Sequence, residues 1–179
     1  IGNDMGIIFV IAAAALLIDQ LTKLLTVGFF LDPMQPLIKG FLHTEGQTYP
    51  VIDKVFSFTY VLNDGAAFGI LQNQRLFFLI MTLLACAAGI ILLLRLPQKH
   101  WLLKVSSGLI LGGALGNLID RVVIGSVRDF LDAVFIETLT GYSFPVFNGA
   151  DVFVVVGVIM LAVYILFMHD KIYKPKDKK

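Results

Sequence analysis

The chain has 179 residues, of which 58% are hydrophobic and 15% are charged. A soluble domain is less apolar and more charged than this, and a chain of this length has no soluble core large enough to hold the surplus of apolar side chains. The composition therefore argues against disorder and against a soluble domain, the net charge of +1 argues against a nucleic-acid partner, and the single cysteine excludes an intramolecular disulfide.

Four segments are apolar over about 20 residues, the length that a helix needs to cross a bilayer. They are residues 5–31, 76–94, 101–119 and 151–168. We predict an all-α polytopic membrane protein with four transmembrane helices in one domain, residues 5–170. Residues 1–4 precede Met5, the expected native start, and are expected to be an expression remnant.

Positive charge predicts the orientation of these spans, because Lys and Arg are enriched in cytoplasmic loops. The tail at residues 171–179 is rich in lysine, and the connection between the second and third spans carries Arg95 and Lys99. Both termini are therefore expected in the cytoplasm. The loops at residues 32–75 and 120–150 are then expected on the outer face of the membrane.

The first outer loop has the pattern of a strand. Residues 55–61 are rich in β-branched and aromatic side chains, which favours a strand, and Asn63-Asp64-Gly65 follows as a turn. Residues 142–147 of the second outer loop are also strand-like. We expect a small extracytoplasmic β-sheet that lies on the membrane surface.

Asp19 and Lys23 are charged residues inside the first span. A charge at this depth is costly, so each of them requires a partner or a function. Their spacing of four residues places both on one face of the helix. An internal ion pair that neutralises both charges and a role in supporting a site both remain open.

The third span ends in a run of small and polar residues. Glycines recur every four residues from Gly108 to Gly116, which predicts close helix packing. Asn117, Asp120 and Arg121 follow on one helical face near the outer surface. A polar helix end, with a local contact between Asp120 and Arg121, would also explain this cluster.

Asp129 follows the third span and Asp151 opens the fourth, so both carboxylates are expected at the same membrane face. Two carboxylates that approach closely do not both ionise, so one of them retains a proton. Such a pair supplies a general base and a general acid. Serine-elbow, His-based metal and nucleotide-binding motifs are absent from the sequence, which leaves carboxylates as the reactive groups.

Two other functions fit part of this pattern. A proton- or ion-coupled transporter would use Asp19, Asp120 and Asp151 as a relay. It would need acids spread through the membrane depth, and the second and fourth spans carry none in mid-membrane. A purely structural membrane scaffold would leave the acids on one side unexplained.

Five segments together resemble a known family. They are Asp19-Gln20-Leu21-Thr22-Lys23, Asn63-Asp64-Gly65-Ala66-Ala67-Phe68, the run from Gly112 to Arg121, Val127-Arg128-Asp129-Phe130, and Phe147-Asn148-Gly149-Ala150-Asp151. With these segments in this order, and with this size and layout, the chain resembles bacterial lipoprotein signal peptidase (signal peptidase II), an intramembrane aspartyl protease. The resemblance covers residues 5–168.

The resemblance implies an activity at the outer face of the bacterial cell membrane. Members of the family cleave prolipoproteins just before a cysteine that carries a diacylglyceryl group. The positions that match the catalytic pair are Asp129 and Asp151. One would act as a general base on a water molecule, and the other would protonate the leaving amine or stabilise the tetrahedral intermediate. Asp120 is the reserve candidate. The resemblance implies no metal and no cofactor, and we expect a monomer in contact with membrane lipids.

The resemblance also implies a set of substrate-binding and supporting residues. They are Asp19, Lys23, Asn63, Gly65, Asn117, Asp120, Arg121, Asn148 and Ala150. Arg128 departs from the family pattern, in which an apolar residue precedes the aspartate. If Arg128 points into the site, its charge would lower the pKa of the neighbouring carboxylate; we expect its side chain to face the lipid headgroups instead.

Overall fold

The structure, a computed structural model, describes residues 2–32, 35–65 and 100–167, together with the helical residues 80, 82–84, 86–87 and 89–90. The helices with defined bounds are α1 (Gly2–Thr26), α2 (Trp101–Val123), α3 (Val134–Thr140) and α4 (Gly149–Phe167). The strands are β1 (Gly28–Asp32), β2 (Gln35–Lys39), β3 (Thr48–Ile52), β4 (Phe56–Asn63) and β5 (Val127–Asp132).

Three of these helices are long and apolar enough to cross a membrane. They are α1 over Met5–Thr26, α2 over Trp101–Val123 and α4 over Gly149–Phe167. They confirm three of the predicted spans, and the predicted span at residues 76–94 lies outside the described residues except for the helical positions given above. The described chain is thus a mostly helical membrane protein with three candidate spans and a small antiparallel sheet.

The ends of two helices differ from the predicted ones. α1 ends at Thr26 rather than at residue 31, because the chain turns at Gly28, whose φ of +97° favours glycine, and continues as a strand. α2 continues to Val123 rather than to residue 119. It ends where Gly125, with φ of +92°, donates its N–H to the carbonyl oxygen of Asp120 at 3.1 Å.

α1 and α2 pack closely and run in the same direction. A Cβ atom on Gly108 would lie 2.7 Å from Ile11, and one on Gly112 would lie 2.8 Å from the Cβ of Ala15. Residue numbers rise together along both helices, so the helices are parallel. The close packing predicted from the glycine spacing is confirmed.

α4 runs in the opposite direction along α2. Gly113 lies against Ala150 at the start of α4, and Gly157 lies against Ile110 further along. The C-terminal ends of α1 and α2 therefore meet the N-terminal end of α4 at one end of the bundle.

The strands form two antiparallel sheets, one of β1 and β2 and one with the order β3-β4-β5. The strand predicted at residues 55–61 is confirmed as β4. The strand predicted at 142–147 is wrong, because only Phe147 forms an isolated bridge, with Leu131, and Pro145 has no N–H to donate. The strand within residues 120–150 is instead β5.

Pairing and burial together place β5 at the end of the bundle where the three helices meet. Val61 of β4 pairs with Asp129 of β5, and Asn63 pairs with Val127. An apolar core packs between this sheet and the helix ends. Its buried residues are Val27, Leu42, Tyr60, Ile124 and Phe130.

Candidate active site

Four charged side chains lie buried where α1, α2 and β5 meet, none of them more than 1% exposed. They are Asp19, Lys23, Asp120 and Arg128. The Lys23 ammonium lies 2.9 Å from Asp19 Oδ2 and 3.3 Å from Asp120 Oδ2. Two acids thus balance two bases, as burial of charge requires. The ion pair that the spacing of Asp19 and Lys23 allowed is present, and it extends to a second acid.

Arg128 does not face the headgroups, so the expectation for its side chain is wrong. Its Nη2 lies 2.7 Å from Asp120 Oδ1, and its Nε donates to Asp120 Oδ2 at 3.2 Å. The reason is the buried carboxylate of Asp120, which a two-pronged guanidinium matches in charge and shape. Asp120 is therefore the partner of two cations.

One residue, Asn148, contacts the carboxyls of both Asp129 and Asp151. Asn148 donates its Nδ2 to Asp129 Oδ1 at 2.6 Å and its backbone N–H to Asp151 Oδ2 at 3.1 Å. The charge of Asp151 also raises the pKa of Asp129, so the two carboxyls interact directly through their charges. The structure thus brings the two carboxyls together at one end of the bundle.

Two further asparagines complete the surroundings of this pair. Asn63 donates its Nδ2 to Asp129 Oδ2 at 2.8 Å, and Asn117 donates its Nδ2 to Asp151 Oδ1 at 2.8 Å. Each oxygen of both carboxyls therefore accepts a hydrogen bond from an N–H group. Such donors hold the two side chains in one orientation.

Lys23 sets the orientation of the amides between it and the carboxyls. An ammonium only donates, so the Asn117 atom 3.0 Å from Lys23 Nζ is Oδ1, and Nδ2 of Asn117 points at Asp151. The same Oδ1 accepts from Asn148 Nδ2 at 3.2 Å. Lys23 thereby determines which amide atoms face the carboxyls of Asp129 and Asp151, although it does not contact either of these two carboxyls.

The start of α4 explains why Asp151 is held there. The backbone N–H of Asp151 donates to Asn148 Oδ1 at 3.1 Å, while the N–H of Asn148 donates back to Asp151 Oδ2. This reciprocal pair, three residues apart, is a capping box, which satisfies N–H groups that a helix start leaves unpaired. The same bonds that begin the helix therefore orient the carboxyl of Asp151.

Burial distinguishes Asp129 from an ordinary aspartate. Its side chain is 2% exposed, and this burial, together with the charge of Asp151, raises the pKa of Asp129 to about 7. Hydrogen bonds from Asn63 and Asn148 act in the opposite direction. A carboxyl with this pKa keeps its proton in a large fraction of molecules near neutral pH, so Asp129 has the property of a proton donor.

The remaining predicted site residues lie around this pair. The backbone N–H of Ala150 donates to Asp19 Oδ1 at 2.8 Å, which joins the start of α4 to the buried charges. The N–H of Gly65 donates to Asn63 Oδ1 at 3.0 Å and so fixes the amide of Asn63. Arg121 interacts electrostatically with both carboxyls of the pair.

Sequence reasoning missed the role of Gln20. Its Nε2 donates to Asp120 Oδ1 at 3.2 Å and to the carbonyl oxygen of Gly116 at 3.1 Å, while its Oε1 accepts from Arg128 at 2.9 Å. Its signal was a polar side chain beside Asp19 in an apolar span. Ser126 was also missed, and its hydroxyl donates to Asp64.

The comparisons with known proteins bear on the whole of this site. A family model described as signal peptidase (SPase) II matches residues 11–167. The match includes the three candidate spans almost completely, residues 32–75 and 120–150, and every predicted site residue.

Named relatives support the same family. The lipoprotein signal peptidase of Caldanaerobacter subterraneus subsp. tengcongensis is 42% identical over 159 residues, which cover 88% of this chain and 94% of the relative. The lipoprotein signal peptidase of Geobacillus kaustophilus is 43% identical over 157 residues, which cover 88% of this chain and 91% of the relative.

Two solved structures, both described as bacterial membrane enzymes studied by the in meso method, share the fold. The structure at 2.3 Å resolution has a TM-score of 0.72 and 31% identity, covering 100% of this chain and 95% of the solved one. The structure at 1.9 Å has a TM-score of 0.72 and 32% identity, covering 94% and 95%. The chain therefore belongs to the signal peptidase II family of membrane proteases, with which the aspartic type predicted from its sequence is consistent.

Proposed function

We propose that the chain cleaves prolipoproteins just before a cysteine that carries a diacylglyceryl group, with Asp129 and Asp151 as its catalytic pair. The observation that carries this proposal is the contact of Asn148 with both carboxyls. We expect a water molecule to bind where it can contact both carboxyls. The names of the relatives supply the substrate class.

The proposed reaction assigns a different proton state to each carboxyl. Asp151, ionised, takes a proton from water as the water oxygen attacks the scissile carbonyl carbon. Asp129, protonated, gives its proton to the carbonyl oxygen. As the C–N bond breaks, Asp151 passes its proton to the leaving amine, and Asp129 recovers a proton from a hydroxyl of the tetrahedral intermediate.

The position of the pair suits a substrate that is anchored in lipid. The carboxyls lie at the C-terminal ends of α1 and α2, near a helix end and not in mid-span. We place this end at the outer face of the membrane, because the Lys-rich residues 171–179 follow the opposite end of α4. The acyl chains of the substrate would then stay in the bilayer while its peptide reaches the carboxyls.

The same geometry supports a fourth crossing of the membrane. Gly65 lies beside Asn63 at the site, whereas His100 accepts a hydrogen bond from Leu102 at the first turn of α2, whose 23 residues span about 34 Å. The chain between Gly65 and His100 has to cover that distance, which fits the predicted span at residues 76–94. Both termini would then lie in the cytoplasm.

We also propose that the protein acts as a monomer. Every donor to the carboxyls of Asp129 and Asp151 described above comes from this one chain.

A transporter, the alternative function, would need acids spread through the membrane depth. Asp19, Asp120 and Asp151 instead lie together at one end of the described helices.

The test replaces each carboxyl by an amide of the same shape. Asp129→Asn and Asp151→Asn are expected to lower the rate of cleavage by about 1,000-fold or more, because each removes a proton carrier. The substrate is a synthetic prolipoprotein peptide with a diacylglyceryl cysteine, presented in detergent micelles to the purified protein. Product is quantified by mass spectrometry.

A matched control comes from the same strand. Asp132→Asn changes an acid three residues from Asp129, one that accepts a hydrogen bond from Thr59 at 2.7 Å, and it should cleave at the wild-type rate. A peptide without the diacylglyceryl group should remain uncut. Wild-type turnover by Asp129→Asn or Asp151→Asn would refute the catalytic assignment.

A further inference from the structure

Arg128 is a buried guanidinium that the proposed reaction does not use. It is 1% exposed, and burying a charge is costly unless all of its donors are bonded. Besides its two bonds to Asp120, Arg128 donates Nη1 to the carbonyl oxygen of Gly28 at 2.7 Å and Nη2 to Gln20 Oε1 at 2.9 Å. A guanidinium bonded in this way directly before Asp129 can fix the position of that residue.

These contacts fasten β5 to three other elements. Asp120 belongs to α2, Gln20 to α1, and Gly28 opens β1. Asp120 Oδ2 also accepts the backbone N–H of Arg128 at 3.1 Å, so it holds both the main chain and the side chain of that residue. Arg128, which makes these contacts, lies one residue before Asp129.

The pairing of β5 with β4 is interrupted next to Asp129. The ladder between β4 and β5 has an irregularity next to Asp129, since the register shifts between Phe58 and Val61. At such a break the ladder of backbone hydrogen bonds is locally disrupted. The contacts of Arg128 act at this point of the strand.

We infer that Arg128 is a positioning residue. Its two-pronged pair with Asp120 holds β5 against the ends of α1 and α2, so that the carboxyl of Asp129 stays in reach of Asn148. The inference rests on the proposed function, because it presumes that Asp129 acts in catalysis. Lysine cannot replace arginine here, since an ammonium keeps the charge but lacks the planar fork that holds both oxygens.

The experiment measures kcat and KM separately for Arg128→Met and Arg128→Lys. It uses the full chain in detergent micelles with the diacylglyceryl prolipoprotein peptide. Arg128→Met is expected to lower kcat about 100-fold with KM within about twofold of wild type, because displacement of a catalytic group affects the chemical step. Arg128→Lys is expected to lower kcat about 10-fold, since only the charge remains.

A matched control separates positioning from general loss of stability. Leu103→Ala removes a fully buried side chain at the opposite end of α2, so it should lower the unfolding temperature and leave kcat unchanged. If Arg128→Met does not fold, Arg128→Lys carries the test. A folded Arg128→Lys with wild-type kcat would overturn the inference.

A double variant tests whether Arg128 acts through Asp120. Combining Arg128→Met with Asp120→Asn should lower kcat no further than the worse single change, because both break the same pair. Losses that multiply would contradict the inference. Wild-type turnover by Asp129→Asn would instead refute the proposed function, so the two failures are distinguishable.

Discussion

Asp129 and Asp151 carry the same functional group in different surroundings. Asp129 lies on a strand, is 2% exposed and is bonded by two side-chain amides. Asp151 lies in the first turn of α4, where a capping box holds its carboxyl. Different surroundings are what allow two aspartates to act as acid and base at one pH.

The raised pKa of Asp129 predicts how the rate depends on pH. Burial raises this pKa to about 7, so the protonated form exists below that pH and is lost above it. Because the proposed reaction needs this proton, kcat/KM should fall as the pH rises through about 7. The measurement is kcat/KM of the wild type and of Asp132→Asn across this range; a rate that keeps rising above pH 8 (about one unit beyond the pKa) would contradict the role.

Asn148 is the residue whose loss should disturb both carboxyls. Asn148→Ala removes the donor to Asp129 and the cap of α4, and the rate should fall about 100-fold. Asn148→Ser keeps an oxygen that caps the helix but is too short to reach Asp129. We therefore expect Asn148→Ser to unfold near the wild-type temperature yet to cleave as slowly as Asn148→Ala; a wild-type rate for Asn148→Ser would show that this donor is dispensable.

At the scale of elements, the site depends on how closely α1 approaches α2. The glycines of α2 let the two backbones meet, and a Cβ on Gly116 would touch the carboxylate of Asp19. Because lipid is as apolar as the helix surfaces, the hydrophobic effect does not drive membrane helices together. Close packing of this kind holds them together instead. The buried charges of Lys23 and Asp120 meet as a result.

Gly112→Ala tests this contact. The added Cβ would lie 2.8 Å from the Cβ of Ala15 and 2.5 Å from the carbonyl oxygen of Ala12, so the helices would have to separate. We expect a loss of about 1–3 kcal/mol in the free energy of unfolding, measured by thermal unfolding in detergent. Gly6→Ala is the matched control, because nothing lies within 4 Å of its Cβ; an equal effect of both changes would show that α1 and α2 do not need the close contact.

At the scale of the molecule, apolar side chains cover the outside of the described bundle. Val10, Leu25 and Leu166 are 69%, 67% and 75% exposed, the reverse of a soluble protein and what contact with lipid requires. The buried charged side chains instead gather at one end, and they are Asp19, Lys23, Asp120, Arg128 and Asp129. The orientation proposed above puts that end outside the cell.

Labelling of introduced cysteines tests the orientation. In a Cys86→Ser background, Tyr142→Cys lies between α3 and α4 at a position that is 80% exposed, and Trp101→Cys lies at the opposite end of α2. A membrane-impermeant maleimide should label residue 142 in intact cells and residue 101 only after permeabilisation. The reverse pattern would place the carboxyl pair in the cytoplasm.

Much of the fold follows from the sequence because it depends on local spacing. About 20 apolar residues determine a span, glycines four residues apart determine a close helix face, and Asp19 with Lys23 share a face for the same reason. The proximity of Asp129 and Asp151 also followed from chain order, because α4 begins at the membrane face where α2 ends.

Only the tertiary structure decided how the buried charges pair. Arg128 turns inward to the buried carboxylate of Asp120. Its other partners, Gln20 and Gly28, lie about 100 residues away in the chain and meet it through packing of α1 against β5. The position of the strand within residues 120–150 depended likewise on pairing with β4. Local sequence determines which side chains lie on the same face of a helix or strand. The partner that contacts that face depends on which elements pack together.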